Sequence, residues 1–205
     1  MKIAKIPTGP LSVNTYYVVC GETNKGFIVD PGGYEPLLTK KIKADNVTIS
    51  YIILTHAHSD HTGGVEYFMQ QFPDAKLVAS KYEKDILEDA GSNFSSYFGK
   101  EQVLKPHIYV DDGDTLTVGE LELKFLHTPG HTPGGICIYV EDCLFSGDTL
   151  FQQSIGRTDF PGSSFSAIKK SIHEKLFVLP EHTRVYPGHM GETEIGFEKR
   201  NNPFV

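Results

Sequence analysis

The chain has 205 residues, enough for one domain spanning 1–205 to bury roughly 70% of its unfolded surface without disulfide staples. Its 19 Lys and Arg against 26 Asp and Glu leave a net charge of −7, which argues against nucleic acid as a partner. No stretch reaches the roughly 18 apolar residues that a membrane helix needs, and the opening MKIAKIPTGPLSVN lacks the apolar core of a secretory signal.

Short apolar runs bounded by Gly, Pro, Asn or Asp predict strands, and apolar residues at helical spacing predict helices between them. In chain order, strands are expected at 2–6 (KIAKI), 15–20 (TYYVVC) and 26–30 (GFIVD). A helix over 36–44 follows, with Leu37, Leu38 and Ile42 on one side. After a strand at 48–55 (TISYIILT), the helix 64–72 places Val65, Phe68, Met69 and Phe72 at i, i+3, i+4 and i+7. A strand at 75–80, a helix over 81–90 and a hairpin of 115–118 with 121–128 come next. Strands at 135–140 and 142–148, a serine-capped helix over 163–179 closed by Pro180, and a strand at 183–189 complete the order. Cys20, Cys137 and Cys143 lie in apolar runs, as reduced packing residues of a cytoplasmic protein would. The hairpin counts against an open parallel sheet. An α+β class is expected: two mixed sheets packed face to face with helices outside, a four-layer αββα sandwich.

The chemistry concentrates in THAHSDHTGG, residues 55–64, where His56, His58, Asp60 and His61 crowd together. Three further apolar strands run into His131, Asp148 and His189, each directly after a glycine that lets the backbone turn sharply toward a site. If those strand ends meet, five imidazoles and two carboxylates converge, a donor set for two divalent ions with positions left for water. His56 and His58, two apart in an extended segment, point the same way and could grip one ion. Asp60 and His61 would face its neighbour, and a carboxylate, most simply Asp148, could bridge the two. Such a pair of ions, about 3.5–4 Å apart, holds a bridging hydroxide at neutral pH and polarises a carbonyl. His107, His127, His173 and His182 lack such company and read as capping or surface residues.

The motifs THAHSDHTGG, TPGHTPG (128–134), FSGD (145–148) and YPGH (186–189) resemble the metallo-β-lactamase fold superfamily. Within it the chain is similar to short bacterial hydrolases of the glyoxalase II (hydroxyacylglutathione hydrolase) kind, to which IVDPGG (28–33) and IGRTDFPGSS (155–164) add. The resemblance implies one ion on His56, His58 and His131, another on Asp60, His61 and His189, and Asp148 shared between them. It implies that Asp30 hydrogen-bonds a ligand histidine, and that Arg157 and Asp159 brace the site, contact substrate, or form only a surface salt bridge. Tyr97 and Phe98, in the loop 91–99, are read as packing aromatics that could instead wall a pocket. Only 16 residues follow His189, too few for the C-terminal helical domain that gives glyoxalase II its cationic glutathione contacts, so glutathione as the thiol is in question.

The expected activity is hydrolysis of a small-molecule acyl thiol such as S-lactoylglutathione, with Asp60 orienting the attacking hydroxide. Zinc is the expected metal, and iron or manganese suit the same donors. On the same fold, a persulfide dioxygenase with one iron on His56, His131 and Asp148, a lactonase, or a β-lactamase are the competing enzymes. A nucleic-acid-processing relative would need a basic patch that this sequence lacks. A non-catalytic metal-binding module is disfavoured, since structural zinc sites are closed, four-coordinate and usually rich in cysteine.

Overall fold

In the computed structural model, which describes residues 1–205, each half of the chain builds its own sheet. The first contains β1 (Lys2–Thr8), β2 (Val13–Val19), β3 (Lys25–Val29), β4 (Thr48–Ile53), β5 (Lys76–Ser80) and β6 (Ile108–Val110), side by side in that order. The β1–β2–β3 meander is antiparallel, and β3 through β6 are parallel. The second uses β7 (Thr115–Val118), β8 (Leu121–His127), β9 (Ile136–Val140) and β10 (Cys143–Gly147). A two-stranded ribbon of β11 (Leu150–Phe151) and β12 (Ser154–Ile155) then precedes β13 (Arg184–Pro187) and β14 (Thr193–Glu194). The order in this second sheet is β14-β13-β10-β9-β8-β7, with only β10 and β13 parallel.

Three apolar layers account for the four-layer stack. Between the sheets, Phe27, Val29 and Ile53 of the first face Leu123, Phe125, Ile138 and Phe145 of the second. Edge-on ring contacts of Phe145 with Tyr16 and Phe27 lock that layer, at centroid distances of 5.2 and 6.0 Å. On the outer face of the first sheet, α1 (Pro36–Ala44) buries Leu38 and Ile42, and α2 (Val65–Gln71) buries Val65 and Phe68. On the outer face of the second, α3 (Phe165–Ser171) and the wider π-type turn Ile172–Leu176 bury Ile168, Ile172 and Leu176 against Leu144 and Val185. This is the expected αββα sandwich. No helix is long and apolar enough to cross a membrane.

The helix read over 81–90 is shorter than its pattern suggested: a tight turn at Lys81–Glu83 leads into a single α-turn, Lys84–Leu87. The Leu87 carbonyl, which a longer helix would use internally, accepts from the Leu104 amide instead. The single turn Ser59–Thr62 and the C-terminal helix Ile195–Asn201 were not anticipated, nor were the short strands β6, β11, β12 and β14.

Candidate metal centre

Parallel strands deliver their ligands at their carboxyl ends, and β4 ends three residues before His56. From the other sheet, β8, β10 and β13 run toward His131, Asp148 and His189. The sheets are tied at this point by the Ile136 amide, which donates to the Thr55 carbonyl at 2.9 Å. All seven expected side chains meet here. Their donor atoms form three overlapping triples, each within 4.8 Å: His56, His58 and His131; Asp60, His61 and His189; and His56, His61 and Asp148 between them. His107, His127, His173 and His182 belong to none of these groups.

Two glycines show why the backbone is arranged as it is. Gly147 sits at φ +49°, and a Cβ there would lie 2.3 Å from Thr55 Oγ1. At Gly188 a Cβ would come within 2.4 Å of Asp148 Oδ1 and 2.6 Å of the His61 ring.

Hydrogen bonds behind the rings fix their tautomers. Thr55 Oγ1 donates to Asp30 Oδ2 at 2.6 Å, so it accepts from His56 Nδ1 at 3.2 Å and leaves His56 Nε2 as a bare lone pair. His61 Nδ1 donates to Asp30 Oδ2 at 2.9 Å, and His131 Nδ1 donates to the Arg157 carbonyl at 2.8 Å. Both therefore turn Nε2 inward, where His131 Nε2 lies 3.0 Å from His58 Nδ1. His56 Nε2, His61 Nε2 and Asp148 Oδ1 are buried without a well-aligned hydrogen bond, although the last two lie 3.3 Å apart. Buried donors and acceptors are nearly always satisfied, so three such atoms aimed at one point fit a cation. The nitrogen and oxygen donors suit zinc, iron or manganese.

The electrostatics divide the cluster. Burial, reinforced by the neighbouring imidazoles, drives His56 well below the ordinary histidine range, and burial next to His131 takes His58 down to about 3. Burial also opposes charge on His61, yet Asp148, Asp60 and Asp30 outweigh it and hold its pKa well above the usual value. His189 is raised in the same way, against burial, by its 3.2 Å contact with Asp60 and by Asp148. Burial alone would lift both Asp60 and Asp148, but His61 and its neighbours hold them low, so both stay ionised. One end of the cluster is thus neutral and the other demands positive charge.

Further residues brace the cluster. Glu83 is fully buried, its two carboxylate oxygens accepting from the Ala57 amide at 2.8 Å and the Gly134 amide at 2.7 Å. It ties the His56–His58 loop to the His131 loop, and no spacing in the sequence marks it. Burial pushes its carboxyl up despite these donors. Asn14 holds the loop carrying His189, its side chain donating to the Pro187 and Met190 carbonyls. Arg157 and Asp159 form an exposed two-pronged ion pair, while the Arg157 carbonyl serves His131. Above the cluster opens a cavity of about 660 Å³, and Tyr97 and Phe98 stand at its rim, 79% and 50% exposed. They wall the pocket and are not packed away.

Residues 8–189 match the model of the metallo-beta-lactamase superfamily. A probable metallo-hydrolase, YqgX of Bacillus subtilis, is 40% identical over 100% of this chain and 98% of its own. Hydroxyacylglutathione hydrolase GloC of Haemophilus influenzae is 32% identical over 100% and 98%. Among solved structures, the BLEG-1 B3 metallo-beta-lactamase superposes with a TM-score of 0.92 at 39% identity, covering 99% of both chains. TTHA1623 in a di-iron-bound form gives 0.84 at 33% identity over 98% of this chain and 100% of that one. ETHE1 from Myxococcus xanthus gives 0.79 at 28% identity over 99% and 84%.

Proposed function

The chain belongs to the metallo-beta-lactamase superfamily, and from that premise we propose that this metal-dependent hydrolase cleaves small thioesters of S-acyl thiols. We assign one divalent cation to His56, His58 and His131, a second to Asp60, His61 and His189, and Asp148 to both. Zinc is the proposed metal. The observation that carries this reading is the convergence of two separate donor triples on either side of the Asp148 carboxylate, whose buried Oδ1 faces only other candidate ligands. A single-metal or structural site would not need seven donors.

When bound, two such cations supply an ionised water at neutral pH and a Lewis acid for the carbonyl oxygen. The protein contributes the rest. Asp60, ionised and beside His189, accepts a hydrogen bond from the attacking water and orients it toward the carbonyl carbon. A carbon–oxygen bond forms there and the carbon–sulfur bond breaks, its electron pair leaving on sulfur. The water's protons end on the thiol and on the carboxylic acid, which ionises. GloC supports glutathione as the thiol, because it aligns with this chain over 98% of its own length.

The test is Asp148→Ala, assayed on S-acyl thiols with metal content measured. Turnover should fall by about 100-fold or more, together with metal occupancy. Retained turnover at normal occupancy would overturn the assignment. Persulfides and β-lactams belong in the same panel. Oxygen uptake with glutathione persulfide by a one-iron protein would point to the dioxygenase reading, and preferential β-lactam cleavage to the lactamase one.

A further inference from the structure

The walls of the large cavity carry more information than its ligands do. Phe94 and Phe160 flank the His58 side, with ring centroids 4.9 and 5.4 Å from the His58 ring and 5.2 Å from each other. Phe151 closes the opposite side, 6.3 Å from His189. The cavity of about 660 Å³ is therefore an aromatic funnel with its floor at the metal ligands.

Phe94 is held in this wall against its own preference. Its backbone is left-handed, φ +65°, a region bulky residues avoid and that persists where the surroundings impose it. Asn93 imposes it: its side-chain Nδ2 donates to the Gln102 carbonyl at 2.8 Å, its side-chain oxygen accepts from the Ser95 amide, and its backbone carbonyl accepts from the Ser59 amide. That last bond joins the aromatic wall directly to the turn bearing Asp60.

The only cationic side chain on the cavity wall is Arg157. Its guanidinium is already gripped at both prongs by Asp159 and lies over the Phe160 ring, 4.5 Å from the centroid. A small hydroxylated acyl group would leave this funnel largely unfilled. A second cavity, of about 290 Å³, meets the first at Ser59, Asp60 and Phe98; Tyr34 and Phe98 are its only hydrophobic side chains, and Lys100, Ser95 and Gln102 also line it. It lacks the cluster of phenylalanines that lines the first and carries a lysine in its place.

We propose that the site takes an S-acyl thiol whose acyl half is an aryl or branched-alkyl group. That group seats against Phe94, Phe151 and Phe160, and the polar thiol half runs past Phe98 into the smaller cavity. This deepens the thioester reading and rests on it. The specificity-setting residues are the three phenylalanines.

The experiment compares acetyl, lactoyl, isovaleryl and benzoyl thioesters of one thiol, glutathione, using wild type, Phe160→Ala and Phe151→Ala with two metals bound per chain. In wild type, kcat/KM for benzoyl and isovaleryl should exceed that for lactoyl by about tenfold or more, as apolar pocket contacts discriminate. At least one variant should bring the ratio close to parity. The ratio between two different thiols carrying the same acetyl group should not move in that variant. Lactoyl equal to or better than benzoyl in wild type would overturn the proposal, as would a benzoyl-to-lactoyl ratio unchanged in both variants. If no thioester is cleaved by fully metallated protein, the hydrolase reading itself has failed, a result distinct from cleavage without acyl preference.

Discussion

Asp30 adopts a left-handed backbone, φ +48°, and so places both carboxylate oxygens on Thr55 and one of them on His61. Asp30→Asn removes the charge that orients His61, and metal affinity should fall about 10–100-fold in competition with a chromophoric chelator. Gly188→Ala should act differently, since the added methyl collides with Asp148 and His61 while the strands stay intact. Its expected signature is lost metal with an unchanged circular dichroism spectrum. Glu83→Ala leaves two buried amides unpaired and should lower stability by about 2–4 kcal/mol in urea denaturation. The seven converging side chains could be read from the sequence because they are polar, closely spaced or preceded by glycine at strand ends. Thr55, Glu83 and the Arg157 carbonyl could not: a bracing group needs only to reach its partner in space, and no periodicity records that.

At the scale of elements, the outer helices are separable from the site. Ile42 is fully buried between α1 and the first sheet, and Ile42→Ala should cost about 2–5 kcal/mol while metal affinity is unchanged. A parallel loss of metal would mean that the helix layer and the ligand loops are coupled. Helix α1 has the bounds its sequence predicts because Pro36 and its apolar spacing act locally, but Leu37, expected on the same side as Leu38 and Ile42, is 74% exposed and Thr39 is buried instead. Helix Ile195–Asn201 escaped because a polar contact anchors it: Glu198, buried, accepts from the Gln153 amide and the Asn202 side chain. Strand β14 is two residues long and is defined by its pairing with Arg184 and Val185.

For the molecule as a whole, the divided electrostatics set its response to acid and to metal. With metal removed, His61 is held well above the usual histidine range and retains a proton near neutrality, and His189 is shifted in the same direction. Loading with a divalent cation should therefore release protons at pH 7, less so as the pH rises past those values, as calorimetry in two buffers of different ionisation enthalpy would record. His56 and His58 act in the opposite sense. Their folded pKa values are depressed, so below about pH 6.5 the unfolded chain takes up protons that they refuse. Their contribution to the stability of chelated protein is complete above that pH and declines as pH falls toward 3. The three apolar layers contain no ligand. Chelation should thus lower the melting temperature without unfolding the protein at room temperature. The division of the chain into one sheet before residue 111 and another after residue 114 has its own consequence. Each proposed ion draws two of its unshared ligands from the first half and one from the second, so each would act as a rivet between the two halves. Fragments cut at the exposed Asp112–Gly113 turn should reassemble when mixed, and far more tightly with metal than with chelator.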